Sequence, residues 1–287
     1  MKKTLLTVFM LAALLPATAQ KARPFARPEA IDQVLRHDPA RTVPLILAHR
    51  GGPQAHETEN SLETFRNTFR QVPEAILEMD VRMTADSVLM LLHDDDIART
   101  TTGTGSVQAM PWEELKTVFL RDLKGRPTRQ RIPRFEEVLA WGAGRVLMAI
   151  DAKPGVDLRK VMNLIAAEGA LNSVFIICYS TEDALAIQKR FPTVWVALGF
   201  NQADHTETLR KAGLAIRNVI ALASRQKKEF YESLHRYGIS VTAGTYGPGN
   251  LDEQPVEAVA EDYRTVFRTG ADILTTDRPV EVRRLFP

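Results

Sequence analysis

One cysteine, Cys178, is all that the 287 residues contain, so no internal disulfide framework can form. Cys178 sits in the apolar stretch 173–179, the setting of a buried and unreactive thiol. No apolar run reaches the roughly 20 residues that a membrane-spanning helix needs. Charge of one sign is also missing. The formal net charge is +2, and without Lys2 and Lys3 the balance is 35 basic against 35 acidic residues. With no basic footprint and no run of like charge, nothing marks a nucleic-acid or anionic-surface partner. Repeats, low-complexity segments and an internal linker are absent as well, which leaves one domain held by its core. A composition of 45% apolar and 25% charged residues is the ordinary mix for that.

Residues 1–19 have the pattern of a secretory signal. Lys2 and Lys3 form a positive start, Leu5 to Leu15 a short apolar stretch, and Ala17-Thr18-Ala19 a small-residue cleavage site before Gln20. The expectation is an exported protein, periplasmic or secreted, without stable membrane insertion. No cysteine stands directly after the cleavage site, so a lipid anchor is not expected. Residues 20–42, rich in proline and arginine, form a lead-in segment with a short helical candidate at 29–36.

From residue 43 to 287 short apolar runs alternate with amphipathic stretches. The runs cover residues 44–48, 75–81, 145–151, 173–179, 193–198, 218–223, 239–243 and 271–276. Rich in Val, Ile and Leu without strict alternation, they predict parallel strands covered on both faces. Helices are predicted between them at 61–71, 134–141, 157–168, 181–190, 203–212, 224–237 and 254–269. Eight strands with intervening helices favour a (β/α)8 TIM barrel over an open doubly wound sheet. Between Asp80 and His93 the chain is too short for a helical crossover. Residues 82–83 and 88–92 instead predict a short inserted β-hairpin arm after strand 2, turning at Ala85-Asp86-Ser87 and bringing Asp80 opposite His93.

Polar residues gather where the strands end, the end at which barrels of this type carry their sites. Glu78 and Asp80, two apart on a strand, share a face, and Asp151 ends the next barrel strand. Carboxylates in apolar company require a cation. Either a hard divalent metal, Ca2+ or Mg2+, or salt bridges to Arg50 and Lys153 meets that need. His49 and His93 end two other segments and suit general acid/base work, activating a nucleophile and protonating a leaving alkoxide. Arg50 and Lys153 suit an anionic phosphate. The stretch His56-Glu57-Thr58-Glu59-Asn60 starts like a zinc-protease helix but carries Asn60 where the second histidine belongs. His37, His205 and His235 are expected on the surface.

The sequence resembles the glycerophosphodiester phosphodiesterase family. The resemblance rests on Ala48-His49-Arg50-Gly51-Gly52, Glu59-Asn60-Ser61-Leu62-Glu63-Thr64-Phe65, Leu77-Glu78-Met79-Asp80-Val81, Leu92-His93-Asp94, Arg99-Thr100-Thr101, Ile132-Pro133-Arg134-Phe135, Asp151-Ala152-Lys153 and Ile273-Leu274-Thr275-Thr276-Asp277-Arg278-Pro279. It implies a metal-dependent hydrolase that cuts glycerophosphodiesters into glycerol 3-phosphate and an alcohol. His49 and His93 would be the acid/base pair, Glu78, Asp80 and Asp151 the metal ligands, and Glu59 a support for the metal or the glycerol end. Three departures stand out. Asp151 replaces the usual Glu, Thr58 stands where proline is usual, and residues 241–246 lack a tryptophan, so that Tyr246 would supply aromatic surface to the substrate. Asp-x-Lys also occurs in sphingomyelinase D enzymes, which makes a sphingomyelinase D- or lysophospholipase D-like phosphodiesterase the alternative. A barrel that binds a phosphorylated ligand without cleaving it is a further one.

Overall fold

The computed structural model describes residues 23–200, 202 and 205–287; the expected signal segment, and residues 203–204 at the start of one expected helix, lie outside them. In chain order the elements are α1 (Pro28–Leu35), β1 (Leu45–Ala48), α2 (Leu62–Gln71), β2 (Ile76–Met83), β3 (Leu89–Leu91), α3 (Trp112–Leu115), β4 (Phe119–Arg121), β5 (Pro127–Arg131), α4 (Phe135–Gly142) and β6 (Met148–Ala152). The second half continues with α5 (Leu158–Ala167), β7 (Val174–Ile177), α6 (Thr181–Arg190), β8 (Trp195–Gly199), α7 (His205–Lys211), β9 (Val219–Leu222), α8 (Lys228–His235), β10 (Ser240–Gly244), α9 (Ala260–Thr269), β11 (Ile273–Thr276) and α10 (Pro279–Arg284).

Eight of these strands close on themselves. The parallel order β1-β11-β10-β9-β8-β7-β6-β2 returns to β1 through Leu47 opposite Ile76, completing a TIM barrel. Each of the eight apolar runs supplies one of its strands, for the reason the pattern predicts. Their outward side chains, such as Ile46, Leu77, Met79 and Val81, meet the helices. Their inward ones, Leu45, Leu47, Ile76, Ala149, Phe175, Trp195 and Ile220 among them, fill the lumen.

The residues before the barrel do more than lead in. Ile31 and Leu35 of α1 pack into the lumen cluster, and the Trp195 indole donates to Asp32 at 2.7 Å. The helix therefore floors the barrel, shielding its N-terminal end from water.

The inserted arm is larger than a hairpin. Beyond β3 the chain adds α3 and the separate β4–β5 ribbon before rejoining the barrel at α4. Met90, Leu92, Ile97, Val107, Leu115, Leu120 and Ile132 give this arm a small core of its own. Strand register also corrects one expectation. Val81, Arg82 and Met83 face Leu91, Met90 and Leu89, so the turn centres on Asp86 and Leu92, not His93, stands opposite Asp80. The Leu92 N–H donates to the Asp80 carbonyl at 3.1 Å, and His93 lies two residues past the end of β3.

Candidate active site

Along β2 the inward face passes from apolar to charged: Ile76 lies in the lumen, Glu78 above it and Asp80 above that, as a period of two requires. The β2–β6 register sets Asp80 beside Asp151. Glu78, Asp80 and Asp151 are each at most 8% exposed, and a carboxylate oxygen from each lies within 4.8 Å of the others. Burial and repulsion from Asp80 and Asp151 push the Glu78 carboxyl well above its usual range. Burial opposes ionisation of Asp80 too, but the Lys153 ammonium and the Asn60 amide outweigh it and hold that group low.

The partners already present are few. Lys153 contacts Asp80 Oδ1 and Asp151 Oδ2, both at 2.6 Å. The ammonium thus sits between the two carboxylates and is the partner of Asp80 Oδ1. Asn60 donates to Asp80 Oδ2 at 2.6 Å, the Arg50 N–H to Glu78 at 2.6 Å, and the Tyr179 hydroxyl to Asp151 Oδ1 at 2.8 Å. Lys153 and, at 3.9 Å from Asp80 Oδ2, the Arg50 Nε are the cations against three buried carboxylates, and Arg50 is shared with Glu59, so negative charge stays in excess. An all-oxygen donor set of three converging carboxylates fits a hard divalent cation.

Both histidines are held the same way. His49 Nδ1 lies 2.8 Å from Asp277 Oδ1, and His93 Nδ1 lies 2.6 Å from Asp94 Oδ1. With Nδ1 as the donor in each pair, Nε2 is the nitrogen left to take or give a proton. The His49 ring stacks on Tyr246 at 4.0 Å. Two donors of the Arg82 guanidinium hold the His93 carbonyl.

The loop after β1 bends through left-handed backbone at Arg50, Gly51 and Gly52. A Cβ on Gly52 would meet the Pro279 ring at 2.2 Å, so only glycine lets this loop approach α10. That bend aims the Arg50 amide at Glu78 and sets His49 beside the carboxylates.

Glu59 does not join the carboxylate cluster. Arg50 grips it at 3.0 and 3.1 Å and Arg99 at 2.8 and 2.9 Å. Arg99 also bonds Asp94, so a chain of contacts runs from Arg50 through Glu59, Arg99 and Asp94 to His93. Asp277, Arg99, Asn60 and Tyr179 had no role assigned from sequence. Asp277 and Arg99 do lie inside the quoted motifs, whereas nothing around Tyr179 marks it. A cavity of about 1000 Å3 opens beside the cluster on the His49 side, lined in part by Arg50, Tyr246, Leu123, Lys124 and Arg284.

The three histidines expected on the surface are half-buried instead: His205 lies against the Phe200 ring, and His37 and His235 sit at the barrel floor, both bonded to Asp272.

The sequence matches the model of the Glycerophosphoryl diester phosphodiesterase family over residues 49–281. The chain belongs to that family. It is 33% identical to a glycerophosphodiester phosphodiesterase of Caldanaerobacter subterraneus subsp. tengcongensis over 82% of this chain and 94% of the relative. A crystal structure of a glycerophosphoryl diester phosphodiesterase from Parabacteroides distasonis is 31% identical, with a TM-score of 0.84 over 90% of this chain and 91% of that one. The fold is also that of an Oleispira antarctica phosphodiesterase solved in complex with the product sn-glycerol-3-phosphate, at 18% identity and a TM-score of 0.69 over 85% of this chain and 96% of that one. In this member of the glycerophosphoryl diester phosphodiesterase family the acidic cluster sits toward the C-terminal ends of β2 and β6.

Proposed function

We propose that this protein hydrolyses glycerophosphodiesters to glycerol 3-phosphate and an alcohol, with His49 and His93 as the acid/base pair. The observation that carries the reading is the matched pair of carboxylate-held histidines, Asp277–His49 and Asp94–His93, next to three buried carboxylates. Glu78, Asp80 and Asp151 would hold a divalent ion, Ca2+ or Mg2+, which when bound neutralises phosphate charge. Arg50 and Lys153 supply further positive charge to the phosphate. Tyr246, stacked on His49, offers an aromatic wall to the glycerol, and the neighbouring cavity has room for the alcohol.

In this reading the 2-hydroxyl of glycerol is the first nucleophile, because it is tethered close to phosphorus and gains the effective molarity of an intramolecular attack. One histidine takes the hydroxyl proton as the new O–P bond forms. The other protonates the departing alcohol as its O–P bond breaks. The roles then reverse: water attacks the cyclic phosphate, the ring P–O bond opens, and glycerol phosphate leaves. An analogue with hydrogen in place of the 2-hydroxyl is expected to bind and barely react. Turnover of that analogue at the normal rate would mean direct attack by water, and the two-step scheme would fall.

A lysophospholipase D-like preference is the second reading. Leu123 (53% exposed) and Tyr246 (37% exposed) place apolar surface on the cavity wall, where an acyl or sphingoid group would lie. Turnover of glycerophosphocholine against lysophosphatidylcholine, each with Ca2+ or Mg2+, separates the two. The N-terminal pattern supports export with cleavage before Gln20; among the described residues no helix is long and apolar enough to cross a membrane.

A further inference from the structure

The floor of the barrel, opposite the candidate active site, carries a second set of metal-binding side chains. Asp272, directly before β11, is 4% exposed. Its Oδ1 lies 2.7 Å from His37 Nδ1, and its Oδ2 lies 2.9 Å from His235 Nε2. His37 follows α1 and His235 ends α8, so three distant segments converge on one carboxylate. The two imidazole rings stack 3.5 Å apart and 9° from parallel. The Val241 N–H also donates to Asp272 Oδ2, at 2.8 Å, which fixes the carboxylate.

We propose that His37, His235 and Asp272 form a second metal site, suited to Zn2+ rather than to Ca2+ or Mg2+, that fastens the N-terminal helix to the barrel floor. Two imidazole nitrogens and one carboxylate are a donor set of the zinc class. One ligand atom from each residue lies within 4.8 Å of the others. The neutral imidazole is the form that ligates.

Access is open. A cleft of about 420 Å3 borders His37, with Glu29, Asp32 and Asp38 against Arg36 on its walls, and Arg36 is itself 3.7 Å from Asp32. The excess of carboxylates draws cations toward the site. Metal–ligand bonds of about 2.0–2.2 Å in a tetrahedral site set ligand atoms roughly 3.3 Å apart. The present 2.7 and 2.9 Å contacts therefore open by about half an ångström on loading, the rings splay, and their protons shift to the distal nitrogens. Water from the cleft completes the coordination.

The test adds Zn2+ alone to chelator-stripped protein carrying Asp80→Asn, which weakens the oxygen-rich cluster. One zinc per chain should remain after gel filtration, with a melting temperature several degrees higher, and Mg2+ should reproduce neither effect. His37→Gln or His235→Gln should abolish both. The same measurements on the unsubstituted chain in excess Mg2+ serve where Asp80→Asn does not fold. Cobalt in place of zinc should give visible d–d bands that either histidine substitution removes, a direct report on the ligands even in a less stable variant. Phosphodiesterase activity with Mg2+ or Ca2+ should be unchanged by His37→Gln alone. Zinc uptake and melting shift equal to the parent's in both histidine variants would overturn the proposal. So would failure of the parent to take up zinc, which would leave the three residues a hydrogen-bonded clasp.

Discussion

His49 and His93 each turn one nitrogen to a carboxylate, and that pairing decides what the other nitrogen can do. Substituting either histidine with alanine is expected to cost roughly 10²–10⁴ in turnover, the usual range for a general acid or base. Metal-dependent thermal stabilisation should persist in both variants, which separates lost proton transfer from lost folding. Asp277→Asn should lower turnover with a changed pH profile, since an amide no longer selects the same His49 tautomer. The Arg99 contact makes a second prediction at this scale. Burial opposes ionisation of Asp94, but the hydrogen bonds from Arg99 and His93 prevail and hold its carboxyl at about 2. A depressed folded value stabilises above the ordinary carboxylate range and is lost as pH falls through about 2. In Arg99→Ala, carbon-detected NMR should show Asp94 titrating nearer to about 3.9, the value of an unperturbed aspartate. An unmoved titration would show that Arg99 does not hold it.

The elements differ in how openly the sequence announces them. Strands 4–8 residues long, covered on both faces, appear as largely apolar runs, and all eight barrel strands were legible for that reason. Helices α2 and α6 also match, the first because Ser61 accepts the Thr64 N–H at its start. By contrast α8 begins at Lys228 rather than at residue 224, because Ser224 is drawn into a bridge with Gly244. The β4–β5 ribbon was not foreseen: Pro127–Arg131 has no apolar alternation and pairs only within the arm. α1 was foreseen as a helix but not as a floor. Leu35→Ala should cost about 2–5 kcal/mol in urea unfolding, as deletion of a fully buried side chain does, while turnover per folded molecule is unchanged. A loss of under 0.5 kcal/mol, roughly the scale of a surface change, would mean that α1 does not seal the lumen.

Across the whole molecule, the acidic cluster links function to stability. Carboxylates that repel one another inside the barrel mouth weaken the metal-free fold, and a cation that binds the folded form alone stabilises it by mass action. Chelation should therefore lower both the melting temperature and turnover, with Ca2+ or Mg2+ restoring them. Asp80→Asn should lower metal affinity and turnover together yet keep the barrel's circular dichroism. If chelation moves neither quantity, the protein's own partners, Lys153, Asn60, Tyr179 and the Arg50 N–H, satisfy the three acids without a metal. The two clusters also present different donors, three carboxylates at the mouth and two imidazoles with one carboxylate at the floor, so metals of different hardness should partition between them.

Taken alone, the sequence determined the barrel, the strand ends bearing His49, Glu78, Asp80, His93 and Asp151, and the oxygen-rich chemistry of the acids. Those features follow from hydrophobic period and from what buried charge requires, and both are local. Tertiary structure decided the rest: that Asp277 holds His49, that Glu59 bridges two arginines, and that His37 and His235 meet at Asp272. These pairings join residues up to 235 positions apart, and no local period encodes them. Only closure of the barrel, with the register it imposes between neighbouring strands, brings such partners within a hydrogen bond of each other.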